Sequence, residues 1–405
     1  MGIFGGNKEK GKLVLVFDVG SSSVGGALFW AQESGIPKIV FAIREPIILQ
    51  KTLDIDKFLS STMKSLEVVV GKIYKAGMGK PEAIFCVLSS PWHVSQTRVI
   101  QLEKNTPFVF TAKLADSLIQ KEITLFKEEY LAKYADIQSP VKLIEFKNIK
   151  TMLNGYESAN PLNQKAKELE MTIFIGVSPE HVFKKIEETI RKCFHFEDIT
   201  FSSFTLASFA VARDMYTHSQ DFLLIDVGGE VTDIAMVKKN TLRESISFPF
   251  GCNFITRRIA SSLHSSLNEA KSLVSLFRDG HTEESFMKKL NPVIDKLKME
   301  WLLKFQESLS NLSKDISVPA TIYLVADKDL ADFFSAVIKT EQFNQYTLTE
   351  SKFEVIFLGA EVFLGLAVFK ENIIRDPGLI IDSIYINRFL INPVYHAKRG
   401  EARRI

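Results

Sequence analysis

Cysteine, histidine clusters and long apolar runs are scarce in this chain of 405 residues. The three cysteines, Cys86, Cys193 and Cys252, are far apart and include no Cys-x-x-Cys pair, which excludes a disulfide framework and a thiolate metal site and fits a reducing compartment. The seven histidines form no metal-ligand spacing, and His93, His195 and His264 read as ordinary residues. Residues 1–12 have no apolar stretch of secretory type. The longest apolar segment, residues 353–369, carries Glu354 and Glu361, too short and too charged for a membrane span; it reads as a buried strand and a buried helix. A formal net charge of +2 favours no nucleic-acid partner. A soluble protein of two or more lobes is expected at this length. The 32 phenylalanines are read as core filling.

A hairpin pattern occurs twice. The first copy is Leu15-Val-Phe-Asp-Val-Gly-Ser-Ser-Ser-Val-Gly-Gly-Ala-Leu-Phe29; the second is Leu224-Ile-Asp-Val-Gly-Gly-Glu-Val-Thr-Asp-Ile-Ala-Met-Val237. In each, an apolar strand enters Asp-Val-Gly, turns through small or hydroxyl residues and returns as a second strand. Glycine lets the turn present its N–H groups outward as an anion nest, and the aspartate can reach a hydrated Mg²⁺. Two such hairpins suggest paired lobes gripping a polyphosphate.

Between and beyond the hairpins, residues 38–49 read as a strand, 53–76 as an amphipathic helix and 81–89 as a strand. Residues 90–170 change character: a charged helix at 112–134, a strand at 141–149 and a polar turn at 154–161 suggest an inserted module. A strand at 171–177 follows, then a helix at 179–193 with Ser178 as N-cap, and another helix at 201–215. Helices at 256–277 and 283–312, with Trp301 on the packing face, precede a strand at 318–326, a helix at 330–338, a strand region at 345–358 and a helix at 359–369. No low-complexity linker interrupts them.

This order of elements resembles the actin-like ATPase superfamily and, within it, the FtsA family, with PilM as a close relative. The hairpins resemble that family's two phosphate loops. Asn154-Gly-Tyr-Glu-Ser-Ala-Asn-Pro-Leu162, followed by Lys167-Glu-Leu-Glu170, is similar to the end of the FtsA inserted domain. Leu206-Ala-Ser208 resembles part of the connecting helix, and Phe248-Pro-Phe-Gly-Cys-Asn-Phe-Ile-Thr-Arg-Arg-Ile259 resembles the segment after the second loop. The resemblance implies an α/β, two-lobed actin-like ATPase fold with ribonuclease-H-like lobes and a small α+β inserted domain in the first lobe. The expected division is 12–84 and 171–218 for the first lobe, 85–170 for the insertion, 219–358 for the second lobe, 359–392 returning to the first, and 393–405 as a basic tail.

It further implies ATP with Mg²⁺, phosphates bound by Gly20, Ser21, Ser22, Ser23, Gly228, Gly229 and Thr232, and water-mediated metal contact from Asp18 and Asp226. Asp233 would orient an attacking water; Glu269, Lys271 and Ala326 would stand on the nucleoside side. Four departures cut against turnover. Glu230 replaces a glycine in the second loop, where a carboxylate repels phosphate unless it faces solvent or joins the metal shell. Ala326-Asp-Lys-Asp329 lacks the glycines of the adenosine loop. Glu269 and Lys271 are two apart and share no helix face. Arg258 and Cys252 replace an aspartate and a glycine. Slow hydrolysis or none is therefore expected.

The implied partners are further copies of the chain, in filaments or oligomers, and division or pilus proteins docked through the inserted domain. PilM clamps a short peptide of a membrane protein beside that domain. A cytoplasmic location is expected, at the inner face of the membrane through partners. The termini (Ile3 and Phe4 with Lys8, Lys10 and Lys12; Lys398, Arg399, Arg403 and Arg404) offer charge but little apolar surface for peripheral membrane contact. A PilM-like adaptor is the alternative to an FtsA-like scaffold, and a sugar or carboxylate kinase the alternative enzyme.

Overall fold

The computed structural model describes residues 11–133, 139–196, 198–278, 284–312, 317–340 and 352–391. Residues 3–10, residues 393–405 and the stretch 345–351 of the strand region expected over 345–358 lie outside the described residues.

Three sheets organise the chain. The first has the order β15-β3-β2-β1-β4-β9, built from β1 (Lys12–Val19), β2 (Ser23–Ala31), β3 (Lys38–Pro46), β4 (Ala83–Leu88), β9 (Ile199–Ser203) and β15 (Val368–Phe369). The second has the order β12-β11-β10-β13-β14, from β10 (Phe222–Val227), β11 (Thr232–Lys238), β12 (Thr241–Phe248), β13 (Thr321–Ala326) and β14 (Glu354–Phe357). The third, smaller sheet is β5-β8-β6-β7: β5 (Val94–Val109), β6 (Val141–Leu153), β7 (Tyr156–Glu157) and β8 (Lys165–Pro179).

β1 and β10 occupy equivalent places. Each pairs antiparallel with its own hairpin partner and parallel with a later strand. Their unbroken apolar runs follow from burial on both faces. With a side-chain period of two, Leu13, Leu15 and Phe17 pack under α1 (Ile55–Lys75) and α3 (Glu180–Arg191). Val14 and Val16 join Phe222 and Leu224 in a central core filled by α4 (Phe204–Met215) and α9 (Pro377–Tyr385). Leu223, Ile225 and Val227 face the opposite way, onto α5 (Cys252–Ser262), α6 (Leu267–Arg278), α7 (Glu284–Leu312, with Trp301 fully buried) and α8 (Lys328–Thr340). The small sheet covers its own core with α2 (Ala112–Lys133).

Several elements differ from the sequence reading. Residues 201–215 are not one helix: β9 ends at Ser203, which then caps α4 by accepting the Leu206 N–H at 3.2 Å. Ser178 is no cap either; it belongs to β8, and its hydroxyl donates to the Trp92 carbonyl at 2.8 Å. The helix expected over 256–277 is split into α5 and α6 by a turn in which His264 takes φ +51°. That expected over 359–369 is a 3-10 turn at Ala360–Phe363, broken by Gly365 at φ +83°, and then β15. β8 runs without a break to Pro179, so residues 171–179 pair within the small sheet rather than the first.

Candidate functional site

The two hairpin turns meet at the centre of the molecule, and they meet on each other. A β-carbon built on Gly229 would fall 2.6 Å from the Ser21 carbonyl carbon and 2.7 Å from the Ser22 nitrogen. Glycine is required there because two backbones touch. Across this seam the Glu230 N–H donates to Ser21 Oγ at 3.1 Å, and Asn253 Nδ2 donates to the Ser21 carbonyl at 3.4 Å. Gly20, Ser21, Ser22, Gly228 and Gly229 are therefore brought together, but as a seam rather than as two walls of a gap. Behind it, the Gly228 and Gly229 carbonyls accept the N–H groups of Cys252 and Asn253 at 2.9 and 2.8 Å. The Gly20 carbonyl takes the Trp92 indole N–H at 2.7 Å.

Asp18 lies on the central face of β1 and Asp226 on the central face of β10, close enough to influence one another's charge. Asp18 is already engaged, whereas Asp226 is half-buried and carries no ion pair among the described residues. Arg44, from β3, places Nη2 2.5 Å from Asp18 Oδ2 and clasps Asp376 with Nε at 2.5 Å and Nη2 at 2.8 Å. Its Nη1 donates to Ser23 Oγ at 3.0 Å, so this serine is engaged as well. Asp376 is also the N-cap of α9, accepting the Leu379 N–H at 2.9 Å. One guanidinium thus serves two carboxylates. Burial resists charge on both, but Arg44 outweighs it at Asp376, which is held below the usual carboxylate range. At Asp18 burial prevails and raises the carboxyl despite Arg44. Burial, then the charges of Asp233 and Asp18, push Asp226 well above the ordinary range. Asp382, on α9 and fully buried, is raised in the same way, and among the described residues neither oxygen finds a hydrogen-bond partner.

A hydrated Mg²⁺ would be met by Asp226, while Asp18 is held by the Arg44 guanidinium and would first have to be released. Among the described residues no group of three or more His, Cys, Asp and Glu side chains is placed to hold a metal ion. The loops that would embrace a nucleotide's phosphates approach each other at Gly229 and Ser21, while Gly20, Ser22, Ser23 and Gly228 stay partly exposed.

Thr232 is turned away from the seam. The strand period puts it on the outer face of β11, where its hydroxyl donates to the Phe250 carbonyl at 2.6 Å and receives the Trp301 indole N–H at 3.3 Å. Asp233, one residue on, does face the centre. Its Oδ1 accepts from Ser90 at 2.9 Å and from Ser247, and burial lifts the carboxyl to about 6 against those two hydrogen bonds.

On the nucleoside side the expected residues have other duties. Glu269 closes a capping box: it accepts the Ser266 N–H at 2.7 Å while its own N–H donates to Ser266 Oγ at 3.2 Å. Lys271 is exposed, on the far side of the buried Ala270. Ala326 ends β13 and the chain runs directly into α8, with Asp327 accepting the Asp329 N–H at 2.9 Å. Ser275 then ties α6 to α8 through Asp329 Oδ2 at 2.9 Å.

Glu230 resolves differently from either alternative weighed above. It neither faces solvent nor joins a metal shell; it is buried and paired with Arg257, with Asn253 Nδ2 donating to Oε1 at 2.8 Å. Arg44, Arg257, Asn253, Asp376 and Asp382 were not singled out as site residues from sequence. Only Asp376 carried a local signal, the Asp-Pro-Gly start of a helix.

These features define an actin-like ATPase fold. In keeping with it, the chain superposes on a chain of the PilM-PilN type IV pilus biogenesis complex with a TM-score of 0.59, at 13% identity, covering 96% of this chain and 99% of that one. EutJ of Carboxydothermus hydrogenoformans is a looser likeness, with a TM-score of 0.41, 13% identity, and 93% and 88% covered. The family model for cell division protein FtsA matches residues 223–298, the second hairpin and the helices after it. No curated protein matches the sequence. The chain thus resembles FtsA and PilM, as its motifs imply.

Proposed function

We propose that this chain is an assembly adaptor of the FtsA and PilM kind, one that holds protein partners and neither binds nor turns over ATP. The observation behind the second half is the seam: the backbones of the two phosphate loops touch at Gly229 and Ser21. Binding of ATP and Mg²⁺, which the resemblance implies, would require the loops to part and Arg44 to release Asp18.

Partner docking is supported by a groove of about 470 Å³ where β6, α3 and β9 converge, lined by Lys142, Phe183, Glu187, Arg191 and Thr200. β9 is an edge strand of the first sheet, and both charge signs line the groove, with Lys142 lying over the buried Phe183 ring at 3.6 Å. An extended peptide suits such a place, because an open strand edge supplies main-chain hydrogen bonds and side-chain pockets supply selectivity. The solved pilus complex favours the adaptor role. The FtsA match over residues 223–298 favours a second reading, head-to-tail filaments in cell division at the inner membrane face.

Titration with a fluorescent ATP analogue and Mg²⁺, together with electron microscopy, tests this. The expected result is no saturable binding through the submillimolar range and no filaments. Saturable binding or turnover overturns the nucleotide-free reading, and filaments favour the division role.

A further inference from the structure

Glu230 has no counterpart in the activity implied by the fold, yet it is the best-supported charged side chain at the seam. It is 6% exposed, its carboxylate is gripped at both oxygens by Arg257 (Nη1 to Oε1 at 3.0 Å, Nη2 to Oε2), and Asn253 donates to Oε1. All three belong to the second lobe. The same Asn253 amide nitrogen reaches the Ser21 carbonyl of the first lobe, and the Glu230 backbone N–H reaches Ser21 Oγ. The carboxylate thereby holds the Asn253 amide that reaches the opposite loop, while the Glu230 main chain makes the second contact across the seam.

We infer that Glu230 is an internal latch: its carboxylate satisfies the cationic and amide groups of the second lobe and closes the lobes on each other without a bound anion. Arg257 and Asn253 form the kind of fork that recognises an anionic oxygen pair. A carboxylate tethered in the same chain acts at a high effective concentration, so it occupies that fork whenever the lobes are closed. Repulsion between Glu230 and a phosphate, the difficulty raised by the sequence, is replaced by occupancy. The inference rests on the nucleotide-free reading, and it adds what keeps the cleft shut.

The test places spin labels at exposed Lys51 and Lys271, one on each lobe, and measures their separation by double electron–electron resonance alongside thermal melting. The natural chain is expected to give one narrow distance, unchanged by Mg²⁺ and ATP. Glu230→Gln and Arg257→Gln, each made separately, should broaden that distribution and lower the Tm by roughly 5 °C, the scale for breaking a mostly buried ion pair in a large domain. The exchange Glu230→Arg with Arg257→Glu should recover part of both losses, which separates a charge latch from general misfolding. An unchanged distance and Tm in both single variants overturns the latch. A natural chain whose distance changes with ATP overturns the nucleotide-free reading instead, whatever the variants do.

Discussion

Replacing Arg44 by methionine probes the centre of the cleft most directly. The substitution keeps an apolar stem of similar length and removes the only cation within hydrogen-bond reach of Asp18 and Asp376 among the described residues. Removing one partner of a buried pair costs about 3–5 kcal/mol. The Arg44 side chain is 25% exposed, whereas those of Asp18 and Asp376 are 7% and 14% exposed. Water therefore relieves part of the cost, and about 2–3 kcal/mol is expected, a Tm loss of roughly 2–4 °C in a chain of this size. The pH dependence gives a second check. Asp376 is held low in the folded protein, so its contribution is present above the unfolded carboxylate range and lost only as pH falls through its folded value. Without Arg44 that advantage disappears, and Asp18 and Asp376 both take up protons more readily when folded. A protonated carboxyl needs no cation, so the deficit should be large near pH 7.5 and shrink towards pH 5. Paired thermal melts at the two pH values provide the assay. A deficit under about 1 kcal/mol, or one that is equal at both pH values, refutes the argument that Arg44 neutralises these carboxylates.

Two further outcomes follow from neighbouring residues. Thr232→Val strands the Phe250 carbonyl and the Trp301 indole N–H in the second lobe, so chemical denaturation should show a loss of roughly 2 kcal/mol; a loss below about 0.5 kcal/mol would mean that the hydroxyl is free for another task. Asp233, raised to about 6, stabilises the fold fully below its unfolded value and loses that contribution as pH rises to 6. Asp233→Asn should therefore flatten the fall in stability between about pH 4 and pH 7 by roughly 1–3 kcal/mol, and a natural chain and variant with parallel profiles would contradict the assigned shift.

The fold was legible because its central strands are buried on both faces and so appear as uninterrupted apolar runs ending in Asp-Val-Gly. Elements that lack such a run were missed. β5 is half exposed and carries Gln96, Arg98, Gln101 and Lys104, so it shows no strand signal of its own. β9 has five residues and passes into α4 without a breaker, since Ser203 ends one and caps the other. The site was legible only where it is local. Asp18, Ser21, Asp226 and Gly229 sit on turns that the sequence displays. Arg44 and Asp376, however, are 332 positions apart, and nothing in local spacing says that one guanidinium joins them. Thr232, which the resemblance puts among the phosphate contacts, opens β11 instead, and because its neighbour Asp233 faces the cleft the strand period turns Thr232 away.

The closed cleft and the groove proposed for partners are not independent parts of the molecule. α9 begins at the cleft, with Asp376 on Arg44 and a β-carbon at Gly378 only 3.1 Å from Asp18 Oδ2. Its nine residues span about 13 Å at helical rise, and its last residue, Tyr385, holds its hydroxyl 3.4 Å from Ser202 Oγ. Ser202 in turn donates to Glu145 Oε2 at 2.6 Å, joining the edge strand β9 to β6 of the small sheet at the head of the groove. On the opposite side, Ser245 of β12 donates to the Ser95 carbonyl of β5 at 3.3 Å, so the second lobe also bears on the small sheet. Packed helices and sheets shift as units rather than deform continuously. Opening the seam at Ser21 and Glu230 would therefore displace α9, and through Tyr385 and Ser202 the β9 wall of the groove, or β12, and with it β5 of the small sheet. A latch that keeps the lobes shut without nucleotide would also hold the groove in one shape, which is what an adaptor requires and a nucleotide-cycling motor does not.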